Sequence, residues 1–360
     1  MHRARSFNRL PSLDAAMSIF ATTPCLAPPS PTERPLYLYG AGNLGRLARE
    51  FLTAVGHEPS GIFERGDPIP EASARVAVSV VTSPYAAIEH SLAARGCTDV
   101  VPFYDLAESL RGQHPLANGW FADPLTAADR RQIASVYASW DDDVSRAHHL
   151  QFMAWRRLRE EWTFEDAPIS TERYFIPEVV EGLRDREIFL DGGAHHGAVS
   201  LAFAARSAGL RILAVEPDAA NRAVLGDTLR GLTGAEVLDC ALAAQDGTAA
   251  FSEGYGFASK LSASGQAQVS VRSIDSLDVE PSLIKLHLEG GELDALRGAR
   301  ETLHTQRPVV SATVYHNADG LWRTAGWLMR ELDDYRFLFR NHCWCAAGAV
   351  VYAIPRERRQ

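Results

Sequence analysis

The chain has 360 residues, of which 46% are hydrophobic and 22% are charged; these values are ordinary for globular proteins, and the length allows two domains with separate cores. The net charge of −9 argues against duplex nucleic acid as a partner, because phosphate contacts need a basic surface. No apolar run approaches the roughly 20 residues of a membrane span. The five cysteines include no C-x-x-C pair that would indicate a zinc ribbon. We therefore expect a cytoplasmic enzyme with no membrane or nucleic-acid partner.

The first part of the chain predicts a tail followed by a small nucleotide-binding domain. Residues 1–34 are basic and then proline-rich, so they are predicted to be a flexible tail. An apolar strand then meets a glycine turn, and a second strand ends in an acid about 20 residues later, which is typical of dinucleotide binding. Residues 35–112 are therefore predicted to be a Rossmann-like α/β domain that binds NAD(P), another nucleotide, a nucleotide-linked substrate, or nothing. The candidate residues of this second nucleotide site are Gly40, Gly42, Gly45 and Glu64.

The next segment, residues 113–180, is predicted to be a helical connecting region. Its apolar residues recur with helical spacing over Ala127–Trp140 and over Asp143–Glu161. The second of these helices is expected to begin at an acidic cap, since carboxylates stabilise a helix N-terminus. This region is expected to link the two α/β domains.

Strands alternate with helices from residue 181 to residue 356, which predicts a mostly parallel, doubly wound α/β sheet. The fourth strand of this alternation is expected to span Ser282–Glu289. The last two strands, Tyr335–Arg340 and Ala347–Ile354, have no helix between them. They are therefore predicted to be antiparallel strands at the edge of the sheet.

The carboxyl ends of the first three strands of this domain carry the residues expected to bind a cofactor, because ligands of open α/β sheets lie at that edge. The first strand runs into L-D-G-G-A-H-H-G, where a carboxylate beside glycines suits a cationic cofactor tail, such as the amino group of S-adenosylmethionine. The second strand ends in V-E-P, with an acid for two ribose hydroxyls, and the third ends in L-D-C-A, beside the base. The predicted cofactor-binding residues are Asp191, Gly193, Ala194, His195, Gly197, Glu216, Pro217, Asp239, Cys240 and Ala241.

An ordered set of motifs within residues 140–355 resembles the FkbM family of S-adenosylmethionine-dependent methyltransferases. The set comprises Y-F-I-P-E-V-V, I-F-L-D-G-G-A-H-H-G, V-E-P, V-R-S-I-D-S-L, L-I-K-L-H-L-E-G-G-E-L-D-A-L-R-G-A, and the closing R-P-V-V and V-Y-H. The resemblance implies a class I methyltransferase fold and O-methylation of a hydroxyl on a sugar or a natural-product-like small molecule. The family pattern K-x-D-x-E-G departs at one position here, where His287 replaces the aspartate.

The fourth strand is unusual because period-two alternation would place Lys285, His287 and Glu289 on one face of a central strand. Buried charges are costly unless they pair or face a cavity, so we expect this row to line the acceptor pocket. His287 is the first candidate for the base that takes the hydroxyl proton, and His316, after the fifth strand, is the second. Glu289 would orient the imidazole, and Lys285 would keep neighbouring carboxylates ionised. The alternative is a solvated antiparallel strand, or a Lys285–Glu289 ion pair that only braces the turn.

Several alternatives stay open at this point. No metal site is predicted, since no H-x-x-x-H spacing supports one, although His195, His196, His287, Glu289 and His316 could converge. His195 and His196 are expected to contact the cofactor or to form a wall. An NAD(P)-dependent oxidoreductase that uses the N-terminal glycines and a non-catalytic protein with the methyltransferase fold are the alternative functions. The expected partner is a small-molecule acceptor with a hydroxyl, and a homodimer is also considered.

Overall fold

The structure is a computed structural model, and it describes residues 2–22, 27–30, 33–114, 116, 119–207 and 209–358. The chain divides into two compact units. The first contains the residues up to Tyr137 together with Asp142–Thr171 and Arg340–Ala349, and the second contains Ala138–Asp141, Glu172–Phe339 and the residues from Val350 onward. Within the described residues, no helix combines the length and the apolar character needed to cross a membrane.

The first unit contains six strands and six helices among the residues described. The strands are β1 (Arg3–Phe7), β2 (Leu36–Tyr39), β3 (Gly61–Phe63), β4 (Arg75–Val78), β5 (Asp99–Pro102) and β6 (Glu160–Phe164), and the helices are α1 (Leu13–Thr22), α2 (Asn43–Ala54), α3 (Tyr85–Ala94), α4 (Phe103–Ser109), α5 (Ala127–Ala138) and α6 (Asp143–Leu158). Four of the strands form a parallel sheet in the order β3–β2–β4–β5. Its core includes Leu38 and Val76, and α2 contributes Leu47 and Phe51 from one helical face.

The predicted flexible tail, residues 1–34, is wrong for the segment that forms β1 and α1. Strand β1 pairs in parallel with β6, which itself lies inside the predicted helical region. Arg5 Nε lies 2.8 Å from a carboxylate oxygen of Glu160, and the rings of Phe7 and Trp162 have centroids 4.9 Å apart. These cross-strand contacts join segments about 155 positions apart in the sequence, so no local pattern could indicate them.

The boundaries of the predicted connecting region, residues 113–180, also differ from the structure. Residues 142–171 belong to the first unit, whereas residues 172–180 belong to the second. Helix α6 ends at Leu158 because Arg159 has a φ of 54°, the left-handed conformation that ends many helices. The helix predicted to extend to Glu161 is therefore shorter, and β6 follows it at once.

The second unit contains eleven strands and six α-helices among the residues described. Its strands are β7 (Ile188–Gly192), β8 (Arg211–Val215), β9 (Ala235–Leu238), β10 (Ala241–Leu242), β11 (Gly247–Ser252), β12 (Lys260–Leu261), β13 (Ala267–Arg272), β14 (Leu283–Leu286), β15 (Val309–Thr313), β16 (Tyr335–Asn341) and β17 (Ala349–Pro355). Its helices are α7 (Pro177–Val180), α8 (Ala198–Ala204), α9 (Ala219–Leu229), α10 (Glu292–Arg297), α11 (Arg300–Thr305) and α12 (Gly320–Glu331).

The central sheet of this unit has seven strands in the order β16–β17–β15–β14–β7–β8–β9. The ladders from β15 to β9 are parallel, and β17 is antiparallel to β15. The predicted fold class, a mostly parallel doubly wound sheet with an antiparallel segment at one edge plus a smaller α/β unit, is confirmed. A second, four-stranded sheet has the order β10–β13–β11–β12. Because β7, β8 and β14 are adjacent, their carboxyl ends meet at one edge of the central sheet.

Candidate active site

A glycine turn follows β7 and forms the floor of the site. We call residues 193–197 the second glycine turn, since the first unit contains another at residues 40–45. Gly193 and Gly197 have φ angles of 71° and 83°, which favour glycine. The backbone N–H groups of Gly193 and Ala194 both donate to Val215 O at 3.0 Å. A Cβ atom on Gly193 would lie 2.0 Å from the carbonyl oxygen of His287. The turn therefore packs directly against the backbone that follows β14.

Lys285 fixes this turn from β14. Its ammonium donates to Gly192 O at 3.1 Å and to Gly193 O at 2.7 Å, and it forms an ion pair with Asp191, Nζ to Oδ1, at 2.8 Å without hydrogen-bond geometry. Ser200 Oγ donates to the other carboxylate oxygen of Asp191 at 2.7 Å. The alternative Lys285–Glu289 brace is therefore wrong, because the lysine pairs across the sheet. Since both oxygens of Asp191 have protein partners, we expect its carboxylate to shape the turn rather than to meet a cofactor ammonium directly.

Glu216, after β8, is the acid predicted to bind ribose hydroxyls. Its Oε2 accepts from His195 N at 2.8 Å and its Oε1 from Asp218 N at 3.0 Å. Burial raises the pKa of Glu216, while these backbone amides oppose the shift. Each carboxylate oxygen can accept more than one hydrogen bond, so two amides still leave acceptor capacity for ligand hydroxyls.

Asp218 is a structural residue of the site that was not predicted from the sequence. Its Oδ1 accepts from Ala220 N and Asn221 N at 3.0 Å and caps α9, while its Oδ2 accepts from Gly254 N and Ser259 Oγ at 2.8 Å. Aspartate directly before a helix is a typical N-cap, and that signal could have identified it. Asp218 thus anchors the loop that carries Phe257.

An aromatic wall stands beside the second glycine turn. The rings of His195 and His196 stack with centroids 3.7 Å apart, and the Phe257 ring lies 6.4 Å from His195, edge to face. Phe257 is 40% exposed, which is unusual for so large an apolar side chain in this unit. Burial lowers the pKa of His195 to about 4, so this ring is neutral and can stack against a planar ligand. That both histidines contact a cofactor or form the wall of its site stays a prediction.

The residues after β9 border the same edge. Cys240 and Ala241 are buried, and burial raises the pKa of the Cys240 thiol to about 11, which keeps it neutral. Asp239 is largely exposed and pairs with Arg222 at 2.9 Å. Arg222 also donates to the carbonyl oxygen of Pro217 at 2.9 Å. These contacts fix the backbone around the predicted base site.

Lys285, His287 and Glu289 do not form the straight polar row that strand alternation predicts. Strand β14 ends at Leu286, so only Lys285 lies in the strand, and Glu289 has a left-handed φ of 51° in the turn. Glu289 Oε1 lies 3.2 Å from His287 Nε2 and 3.1 Å from His316 Nε2. The turn, rather than period-two spacing, therefore brings His287, Glu289 and His316 together; we call these three side chains the His-Glu-His cluster.

Partners outside this cluster hold both imidazoles. His316 Nδ1 lies 3.0 Å from Glu292 Oε1, and His287 Nδ1 lies 3.0 Å from Tyr174 Oη. Tyr315 Oη lies 3.2 Å from His287 Nε2. Glu292, Tyr174 and Tyr315 were not among the predicted site residues, although all three lie within the motifs quoted from the sequence.

The two imidazoles of the cluster differ in charge. Burial lowers the pKa of His287 to about 4, against the opposing effect of Glu289. Burial also acts to lower the pKa of His316, but Glu289 and Glu292 outweigh it and raise that pKa to about 9. The two imidazoles hold the pKa of Glu289 well below its ordinary value, although burial acts to raise it. A protonated His316 has no lone pair to offer, so His287 is the better of the two predicted bases.

The N-terminal glycines form a separate turn in the first unit. We call residues 40–45 the first glycine turn; Gly40 has a φ of 109°, and a Cβ atom on Gly45 would lie 2.0 Å from Gly40 O. Glu64 Oε1 accepts from Ala41 N at 3.1 Å, and Gly42 precedes α2. The predicted residues of the second nucleotide site therefore do come together. Ser79 Oγ, from the end of β4, donates to Gly40 O at 2.9 Å.

Comparison with known proteins supports the fold. Residues 191–341 match the profile of the methyltransferase FkbM domain. The chain is similar to the crystal structure of methyltransferase FkbM from Methylobacillus flagellatus KT, with 18% identity, 96% of this chain and 94% of that chain covered, and a TM-score of 0.61. This similarity confirms the predicted class I methyltransferase fold.

Two further solved structures are more distant. A precorrin-6y C5,15-methyltransferase from Geobacter metallireducens GS-15 has 15% identity over 53% of this chain and 95% of that chain, with a TM-score of 0.32. The methyltransferase PaMTH1 from Podospora anserina, solved with S-adenosylhomocysteine, has 11% identity over 64% of this chain and 88% of that chain, with a TM-score of 0.31. No curated protein matches the chain.

Proposed function

We propose, from the premise that residues 191–341 belong to the methyltransferase FkbM family, that the protein transfers the methyl group of S-adenosylmethionine to a hydroxyl of a small molecule. A sugar or a natural-product-like alcohol is the acceptor class. One observation carries the proposal: the second glycine turn abuts the backbone of His287, so a ligand bound at the turn lies beside the His-Glu-His cluster. The methyl donor and the base that accepts the proton would therefore lie at the same edge of the sheet.

The residues at this edge fit the donor. Glu216 is held by two backbone amides and has acceptor capacity for the two ribose hydroxyls. Neutral His195 and exposed Phe257 offer flat apolar surface to the nucleoside, and the backbone around Cys240 borders the base. Lys285 and Asp191 hold the glycine turn in place beneath the donor. The bound donor supplies an electrophilic methyl group on a positively charged sulfur.

The cluster would position the acceptor and receive its proton. The acceptor oxygen would form the new C–O bond as the methyl–sulfur bond breaks, and the electron pair of that bond would stay on sulfur. The hydroxyl proton would pass to the ring nitrogen of neutral His287 that carries no proton. The imidazolium that results has an acceptor for each N–H, Glu289 Oε1 and Tyr174 Oη. Glu289 thus orients the ring before the reaction and stabilises its charge afterwards.

A direct test measures donor binding and methyl transfer together. The full chain is titrated with S-adenosylhomocysteine in a calorimeter and then incubated with methyl-labelled donor and a panel of sugars and polyketide-like alcohols. We expect saturable binding and label in an ether product. Binding of NAD without binding of S-adenosylhomocysteine would contradict the proposal. Methyl transfer seen only in His287→Asp would identify the natural protein as a non-catalytic member of the fold.

A further inference from the structure

We propose that the His-Glu-His cluster is a binding site for a divalent transition-metal ion, with Zn²⁺ as the ion that its ligands favour. The three ligand atoms, His287 Nε2, Glu289 Oε1 and His316 Nε2, all lie within 4.8 Å of one another. Two imidazole nitrogens and one carboxylate oxygen are a known ligand set of catalytic zinc sites, which keep a further position open. The site itself does not depend on the proposed function, but the role given to the ion below does.

The distances within the cluster agree with a shared ion. Glu289 Oε1 lies 3.2 Å from one imidazole nitrogen and 3.1 Å from the other. Ligands bonded to tetrahedral Zn²⁺ at about 2.0–2.2 Å lie roughly 3.4 Å from each other. Two of the three separations are therefore close to coordination spacing, the third is within 4.8 Å, and small movements of the side chains would admit the ion.

The outer partners fix both imidazoles in the orientation that coordination needs. A ligating histidine usually presents its other nitrogen to a carboxylate, a carbonyl or another polar group. His316 presents Nδ1 to Glu292 Oε1 at 3.0 Å, and His287 presents Nδ1 to Tyr174 Oη at 3.0 Å. In both residues Nε2 is the nitrogen left facing Glu289.

Glu292 is itself held rigidly. Its carboxylate accepts from Leu288 N at 3.0 Å, from Gly290 N at 3.1 Å and from Thr313 Oγ1 at 2.6 Å. These donors come from the turn after β14 and from β15, the two segments that carry the proposed ligands. One outer carboxylate thus ties the two halves of the site together.

The burial of the three ligands leaves one side open. The side chain of His316 is 2% exposed and that of Glu289 is 9% exposed, whereas that of His287 is 22% exposed. An ion held here would be shielded on the side of His316 and accessible past His287. That open side is where an acceptor hydroxyl could complete the coordination.

The ion would change how the acceptor is activated. A bound dication lowers the pKa of a coordinated hydroxyl and holds its oxygen in position. His287 would then act as a ligand, and the hydroxyl proton would pass to solvent. The alternative is that no metal binds and that a proton shared by His316 and Glu289 holds the cluster together. The cluster would then be only a chain of ion pairs. Metal binding displaces that proton, and this distinguishes the two states.

The first experiment measures metal binding by the full chain after dialysis against a chelator. Zn²⁺ is titrated in a calorimeter, and Co²⁺ is added to a parallel sample as a spectroscopic probe. We expect one equivalent of Zn²⁺ to bind with release of a proton, and Co²⁺ to give a visible ligand-field band. If the wild-type chain shows neither heat nor band, the ion-pair chain is the whole explanation and the metal site is refuted.

Variants locate the ion. His287→Asn and Glu289→Gln should abolish the Co²⁺ band, and Glu292→Gln should weaken binding about 10–100-fold, as for loss of an outer-shell partner. His304→Gln, on the exposed face of α11, is the matched control and should bind as the wild type does. A band that persists in His287→Asn and Glu289→Gln would place the ion elsewhere. Circular dichroism checks that each variant folds.

A titration of the same samples with S-adenosylhomocysteine separates this inference from the proposed function. Donor binding without metal binding refutes the metal site and leaves methyl transfer standing. Metal binding without donor binding refutes the methyl-transfer proposal and leaves the site standing. If both bind and the chelated protein transfers methyl groups at the full rate, the ion has no part in the reaction and the role given to it above is refuted.

Discussion

Both units of the chain contain a glycine turn held by an acid, and they differ in the strand beside that turn. In each, a parallel strand ends in a glycine turn, and an acid from the next strand accepts a backbone N–H of that turn: Ala41 N to Glu64 at 3.1 Å, and His195 N to Glu216 at 2.8 Å. The adjacent strand on the other side is β4 in the first unit and β14 in the second. Strand β4 leads to Ser79, whereas β14 supplies Lys285 and leads into the His-Glu-His cluster.

In both units a glycine turn with an acid is therefore a scaffold, and the groups around it differ. The first glycine turn has Glu64 exposed, and a hydroxyl from Ser79 is the group that holds its backbone. The second has Glu216 buried, and a charged pair of Lys285 and Asp191 holds its backbone. Chemistry at such a turn depends on the strand end beside it.

The largest expected effect concerns the two groups that hold the turns. Lys285→Met leaves Asp191 buried without its counter-charge and should lower the free energy of unfolding of the second unit by about 3–5 kcal/mol. Ser79→Ala removes one neutral hydrogen bond and should cost about 1 kcal/mol. Urea unfolding of both variants measures the difference. Equal losses would mean that the two turns are held in the same way.

The stability of the first unit should depend on pH because of His148. Its Nδ1 accepts from Asn341 N at 3.0 Å and its Nε2 lies 3.2 Å from Ala167 O, which fixes a neutral ring, and burial lowers its pKa to about 4. The unfolded chain protonates this histidine near pH 6.5, so its stabilising effect is complete above that pH and is lost as the pH falls through 4. The loss should reach roughly 3 kcal/mol.

The measurement compares wild type with His148→Asn, which removes the titrating ring. The difference in free energy of unfolding between the two proteins should shrink as the pH falls from 7 to 4, and urea titrations at several pH values measure it. A difference that stays constant over this range would show that His148 does not titrate with the predicted shift.

The acids at the two turns should differ in donor binding. If Glu216 binds the ribose hydroxyls as proposed, Glu216→Gln should weaken S-adenosylhomocysteine binding about 10–100-fold, because charge-assisted hydrogen bonds would be lost. Glu64→Gln is the matched control and should bind S-adenosylhomocysteine as the wild type does. Calorimetry measures both affinities. The reverse order of effects would move the donor to the first unit.

The smallest difference concerns the turn glycines. Gly193→Ala places a Cβ 2.0 Å from His287 O at a positive φ and should cost at least about 1–3 kcal/mol. Gly42→Ala would meet no atom of the described residues within 4 Å and has a φ of −68°, so its effect should stay within about 0.5 kcal/mol. Thermal unfolding of the two variants tests this contrast. A tolerated Gly193→Ala would show that the turn can move away from the cluster.

The sequence predicted the parts of this molecule that local patterns determine. The alternation of strands and helices, the glycine turns and the acids Glu64 and Glu216 follow from spacing within a few tens of residues. The pairing of β1 with β6 could not be predicted, because its contacts join distant segments. The pairing of Lys285 with Asp191 could have been predicted, since the two residues lie in register on adjacent strands.

The structure brings together three side chains that were named from the sequence, but not in the predicted geometry. His287, Glu289 and His316 were all named, yet strand alternation suggested a straight polar row. The left-handed turn at Glu289 ends that alternation and directs its carboxylate toward both imidazoles. Glu292 and Tyr174 were missed because their roles depend on contacts with these side chains, and no spacing rule encodes such contacts.

A crystal structure of the full chain with S-adenosylhomocysteine would show which of the two glycine turns binds the methyl donor. We expect the ribose hydroxyls on Glu216, the nucleoside beside His195 and Phe257, and the sulfur next to the turn that carries His287 and Glu289. A ligand bound instead at the first glycine turn, beside Glu64, would contradict the assignment of methyl transfer to the second unit.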